Sequence, residues 1–284
     1  MTAAEQFTAP LAFHGEGAVW SRSWGGLRWV DMLAGEYLTR NDATGQISRD
    51  SSGSPIAALV RPRYGGGVVI ATERGFTLED LDGTRTQLPD LWSDAGLRMN
   101  EGGCAPDGSL YCGSLGYGAP AGAGSLYRLA ADHAVSVIFS GVTISNGLGF
   151  SPDGALMYYV DTPTRRIDVF TMAEGRPVDR RPFAEVGDVA GNPDGLTVAS
   201  DGSVWVALYG GSAVRGFNRS GEVVDVVELP VTNVTSCAFG GDALDTLYIT
   251  TSRENLPDDE QPEAGAVFAC RPGVTGLPVL EYAG

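Results

Sequence analysis

Apolar residues in this chain come in short runs, each bounded by glycine or by an Asp-Gly pair. Six segments carry the pattern: GGLRWVD at 25–31, GGVVIAT at 66–72, DGSLYCG at 107–113, DGALMYYVD at 153–161, DGSVWVA at 201–207 and LDTLYIT at 244–250. Runs this short, rich in branched and aromatic residues and closed by turn formers, predict β-strands. An apolar run precedes each of them: AVW at 18–20, AALV at 57–60, GCA at 103–105, LGF at 148–150, LTV at 196–198 and CAF at 237–239. A further strand follows, as in GSLYRL (124–129), RIDVF (166–170) and AVRGF (213–217). No long helical period occurs; PDLWSDAG at 89–96 predicts one or two helical turns at most.

Aligned on Trp29, Val69, Tyr111, Tyr159, Trp205 and Tyr248, the segments recur at intervals of 40 to 48 residues. That period, with about four strands per repeat, is the signature of propeller blades. The predicted fold is therefore all-β, a six-bladed β-propeller spanning 1–284 as one domain. A pair of β-sandwiches would show no single period along the chain.

A propeller lines its central channel with the first strand of each blade. Counting back from the aligned positions, the residues heading those strands are Glu16, Ala57, Asn100, Asn146, Asp194 and Ser236. Turn chemistry alone accounts for Asn146 in ISNGLGFSPDG, since Asn and Gly both tolerate positive φ. It does not account for a ring of oxygens aimed at one axis. Two carboxylates and two carboxamides converging there repel unless something positive lies between them. The prediction is a divalent cation in the channel, and an all-oxygen set selects a hard one. Whether such a metal is catalytic or a structural plug stays open at this point.

Composition narrows the function. The formal net charge is −16, from 35 acidic and 19 basic residues, which disfavours nucleic acid and anionic membranes as partners. All 19 basic residues are Arg, which excludes Schiff-base lysines and a P-loop lysine. No apolar stretch is long enough for a membrane span, and the N-terminus lacks a signal-peptide pattern, so a cytoplasmic location is expected. Cys104, Cys112, Cys237 and Cys270 form no C-x-x-C pair and read as reduced, buried thiols. His14 lies two residues from Glu16, on the same side of an extended segment, and reads as a hydrogen-bonded histidine; His133 reads as a surface turn residue. The acidic run ENLPDDEQPEAG (254–265) reads as a solvated loop. No G-x-S-x-G occurs to support a serine hydrolase.

Seven stretches taken in order, GEGAVW (15–20), GLRWVD (26–31), LRMNEGG (97–103), ISNGLGFSPDG (144–154), YYVDTPTRRIDVF (158–170), NPDGLTVASDGSVWVALYGG (192–211) and VTSCAFGGDALDTLYITT (234–251), resemble the regucalcin/gluconolactonase-like lactonase family. The resemblance implies a six-bladed propeller that hydrolyses sugar lactones with one divalent metal in its channel (Ca, Mg, Mn, Zn or Fe). It implies Glu16, Asn146 and Asp194 as metal ligands, and Arg98 with Asn100 as residues that orient substrate or a metal water. Glu101 and Ser236 join them as candidate substrate contacts. The chain departs from the family pattern in NEGGCAPDG, with Glu101 where relatives carry Asp and Ala105 where an Asp precedes the Pro. Leu115 and Tyr117 stand where many relatives place a substrate-contacting Glu, so a shifted substrate preference is expected.

The expected reaction is metal-dependent opening of a small lactone, with Asp194 as general base. The partner is then a small-molecule lactone, and the protein a monomer or small homo-oligomer. Two other readings stand beside this one: phosphotriester hydrolysis of the diisopropyl-fluorophosphatase type, and a metal-binding propeller without turnover.

Overall fold

The computed structural model describes residues 2–187, 189–257 and 260–284. Six antiparallel sheets form the blades, and the expected six-bladed propeller is what the chain adopts. The innermost strands are Gly15–Ser21, Ala57–Pro62, Leu97–Cys104, Ser145–Phe150, Asn192–Val198 and Val234–Gly240. Each pairs with one of the strands first recognised in the repeat, from Gly26–Asp31 in blade one to Thr246–Thr251 in blade six. Burial falls outward, as the polarity of the segments dictates. Val68–Thr72 and Leu110–Gly116 are buried throughout, whereas the outermost Arg85–Gln87 is exposed. Between blades the apolar faces interlock: Trp205 of blade five meets Phe239 of blade six edge-on, at 6.1 Å between ring centroids.

Both ends of the chain fasten the ring. Glu5–Gln6 pairs antiparallel with Val267–Cys270, supplying the fourth strand of blade six, and Thr2–Ala3 adds in parallel to blade five. At the other end, Gly276 N donates to Leu244 O, Tyr282 N to Pro62 O and Ala283 N to Gly108 O. The final segment thus crosses from blade six to blades two and three. On its way, segment 277–280 borders a channel cavity of about 480 Å³ that reaches as far as Glu101 and Ser236.

All six innermost strands are irregular at one place. A bulge of one extra residue lies between Glu16 and Val19, Ala57 and Leu59, Met99 and Gly102, Ser145 and Leu148, Pro193 and Leu196, and Val234 and Ser236. A bulge leaves the extra residue unpaired and re-aims neighbouring side chains. Segment 89–96 forms no helix; Leu91 and Trp92 instead lay their side chains against the core. Among the described residues the helices are single 3-10 turns, and none is long and apolar enough to cross a membrane.

Candidate functional site

The bulges bring Glu16, Asn100, Glu101, Asn146, Asp194 and Ser236 to one level of the channel, all of them buried. Two aspartates that end second strands prepare this level. Asp31, the last residue of GLRWVD, accepts the backbone N–H groups of Phe13 and His14 at 3.0–3.1 Å, just ahead of Glu16. Asp161 does the same for Thr143 and Ile144 ahead of Asn146. The Val-Asp ending shared by both segments is the sequence signal for this device, and the reading from sequence passed over it.

Glu16 Oε2 accepts from Gly17 N at 2.9 Å, and Gly17 holds φ at 59°, a conformation that suits glycine. Asn146 Nδ2 donates to Thr162 Oγ1 at 3.0 Å, and that hydroxyl donates onward to Pro193 O at 2.9 Å. This chain fixes the amide and leaves its oxygen facing elsewhere. Asn146 Oδ1, Asp194 Oδ1 and Glu101 Oε2 are buried with no hydrogen-bond partner among the described residues. Native structures rarely leave such atoms unsatisfied, so a group of them points to something that binds there. Glu16, Glu101 and Asp194 each offer a carboxylate oxygen, and those oxygens lie within 4.8 Å of one another.

The electrostatics agree with the geometry. Burial pushes the Glu16 carboxyl well above the ordinary range, and Asp194 and then Glu101 push it further. Burial likewise raises Asp194, with Glu101 adding to the rise and the Asn146 side chain opposing it. Three buried carboxylates cannot all ionise side by side, but around a cation they can. The donor set is all oxygen, which fits a hard divalent ion.

Arg98 and Asn100 stand beside this cluster as a pair. Arg98 Nη1 donates to Asn100 Oδ1 at 2.7 Å and to Met99 O at 3.0 Å. Tyr117 lies near the guanidinium, 6.0 Å from ring centroid to Cζ, and its hydroxyl donates to Glu73 Oε1 at 2.8 Å. Leu115 is buried. Ser236 Oγ faces Glu101 Oε1 at 3.5 Å. His14 is hydrogen-bonded as expected: its Nδ1 is 2.8 Å from Ser252 Oγ and 3.4 Å from Glu254 Oε2. Burial, with Arg98 nearby, pushes its pKa down to about 4, so the ring is neutral at pH 7. Asp258 and Asp259 of the acidic run lie outside the described residues.

One buried residue of the channel escaped the sequence reading. Arg61, in the otherwise apolar run AALVRP, donates to the carbonyls of Gly17, Val60 and Gly102 and stands 4.0 Å from Glu101. A lone Arg closing an apolar strand is the signal that could have found it.

Comparison with known proteins bears on the family and the fold. The family model described as "SMP-30/Gluconolactonase/LRE-like region" matches residues 14–253. The chain is 34% identical over 280 residues to a 6-deoxy-6-sulfogluconolactonase of Pseudomonas putida, covering 95% of each chain. It is 33% identical over 283 residues to regucalcin of Oryctolagus cuniculus, again covering 95% of each. Among solved structures it is similar to a calcium-binding protein, regucalcin, of Agrobacterium tumefaciens, with a TM-score of 0.90 at 29% identity, over 96% of this chain and 95% of that one. The chain belongs to the SMP-30/gluconolactonase/LRE-like family.

Proposed function

We propose that this protein is a divalent-metal-dependent lactonase, opening a five- or six-membered lactone to its hydroxy acid. The observation that carries the reading is the convergence of unpartnered buried oxygens from Asn146, Asp194 and Glu101 beside Glu16, in a chain of this family. Relatives named for sugar-lactone and sulfogluconolactone hydrolysis support the substrate class. The calcium-binding neighbour supports an oxygen-preferring ion.

Glu16, Asn146 and Asp194 would hold the cation, which when bound supplies Lewis-acid polarisation of the lactone carbonyl. Asp194, a carboxylate with an unpartnered Oδ1, would take the proton of the attacking water. Arg98, fixed by Asn100, offers its remaining N–H groups to ring hydroxyls or to the oxyanion that develops on ring opening. Burial around the three carboxylates keeps bulk water from screening these charges.

A panel of aldonolactones and alkyl lactones, assayed with and without exhaustive chelation, tests the reading. Proton release above the spontaneous rate, lost on chelation and restored by an added divalent ion, is expected. Turnover of phosphotriesters with no lactone hydrolysis above background would overturn it.

A further inference from the structure

Resting on the metal-binding reading above, we infer that Glu101 is itself a ligand of the cation, so that three carboxylates hold it, rather than a substrate contact.

Asn100 and Glu101 are adjacent on one strand, and regular alternation would send them to opposite faces. The bulge between Met99 and Gly102 breaks that alternation and leaves both buried at the channel. Both ends of the Asn100 amide have partners: its Oδ1 accepts from Arg98 and its Nδ2 donates to Ser145 O at 2.8 Å. For Glu101 this is not so. It is 4% exposed, and its Oε2 has no hydrogen-bond partner. Its Oε1 meets Ser236 Oγ only at 3.5 Å and Arg61 Nη2 only at 4.0 Å. The Arg61 guanidinium is held instead by the carbonyls of Gly17, Val60 and Gly102.

The space that Glu101 occupies has been kept for it. A Cβ on Gly195 would fall 2.5 Å from Ser236 Oγ and 2.8 Å from Glu101 Oε2, so a larger residue beside Asp194 would force Ser236 or the Glu101 carboxylate to shift. From there it reaches the oxygens of Glu16 and Asp194. A third carboxylate changes what the site prefers, since affinity for hard cations rises with the number of charged ligands. Such a site favours calcium-like ions, and trivalent lanthanides still more.

Titration calorimetry with Ca²⁺ and Tb³⁺ on metal-stripped wild type, Glu101→Gln and Glu101→Asp tests the assignment, together with melting temperatures in chelator. Glu101→Gln is expected to weaken Ca²⁺ binding by about tenfold or more, since even residues that only orient ligands cost that much. The loss for Tb³⁺ should be larger, because a full charge has gone. The metal-free Glu101→Gln protein should melt no lower than wild type, as one of three mutually repelling groups is removed. Glu101→Asp, which keeps the charge but draws it back by one methylene, should also bind Ca²⁺ more weakly, and it carries the test if the Gln variant does not fold. Unchanged affinity for both ions in these variants overturns the assignment. So does a lowered metal-free melting temperature with unchanged affinities, which would make Glu101 a strut for Ser236 and Arg61. Wild type that binds neither ion removes the metal centre altogether, whereas intact ion binding without lactone hydrolysis removes only the proposed reaction.

Discussion

Arg98 and Asn100 form one unit: the guanidinium donates to the amide oxygen at 2.7 Å, and the amide passes the link to Ser145 O at 2.8 Å. The link crosses from blade three to blade four, so the direction of the arginine depends on both. Arg98→Ala should therefore raise KM for hydroxylated sugar lactones more than for plain alkyl lactones, which use none of its donors. Asn100→Ala should produce the same bias more weakly, by loosening the guanidinium. Steady-state kinetics on matched lactone pairs decides this; an equal effect on both classes would remove the substrate role.

Asp194→Asn keeps the shape and an oxygen but removes the charge and the proposed base. The expected loss in kcat is on the order of 10²–10⁴-fold, the usual worth of a positioned base. Weakened metal binding should survive. A variant that holds metal and turns over at near the wild-type rate would show that Asp194 is neither base nor essential charge.

Asn146→Ala removes the proposed neutral ligand and leaves the carboxylates of Glu16, Glu101 and Asp194. Activity should fall at low metal concentration and recover in part when metal is raised. A rate that stays low at saturating metal would place Asn146 in the chemistry rather than in ion binding.

Gly147 sits where two blades nearly touch, and a Cβ there would fall 2.6 Å from both Asp194 O and Leu196 N. Backbone cannot yield as a side-chain tip can. Gly147→Ala should therefore cost about 1–3 kcal/mol in urea unfolding, the range for overpacking.

The thiols are expected to be inert in the folded protein. Burial pushes Cys104 and Cys112 up to about 12, raises Cys237 well above its ordinary range, and takes Cys270 to about 12. Ellman's reagent at pH 8 should find almost no reactive thiolate until denaturant is added, then four per chain. Because the folded pKa values are raised, the linked stability is intact below about pH 8.5 and lost as pH climbs toward 12. A melting temperature that rises over that window would contradict the assignment.

The fold was legible because blades repeat: six turn-bounded segments at one period suffice, and the channel heads follow by counting back. What could not be read were features that no period encodes. The bulges insert one residue without a composition signal, and so the shared level of Asn100 and Glu101 was hidden. The pairing of Glu5–Gln6 with blade six joins residues more than 260 positions apart. Arg61 and the Asp31 and Asp161 supports were visible as residues but not as roles, because each acts on backbone brought close only by the closed ring.

The six bulges also separate two kinds of change. Side chains at that level belong to one phase of strand alternation, and those that pack the blades below belong to another. Replacing a polar side chain at the bulge is expected to alter chemistry more than folding, whereas Gly147 and Gly195 at the same level leave no space for a Cβ. Blade two fills its place with Ala57 and Ala58, which bring no polar side-chain atom. Blade two is thus the one blade whose bulge lends the channel no side-chain oxygen, and because Ala57 and Ala58 are buried in the core, a polar group introduced there would have to be fitted into packed space.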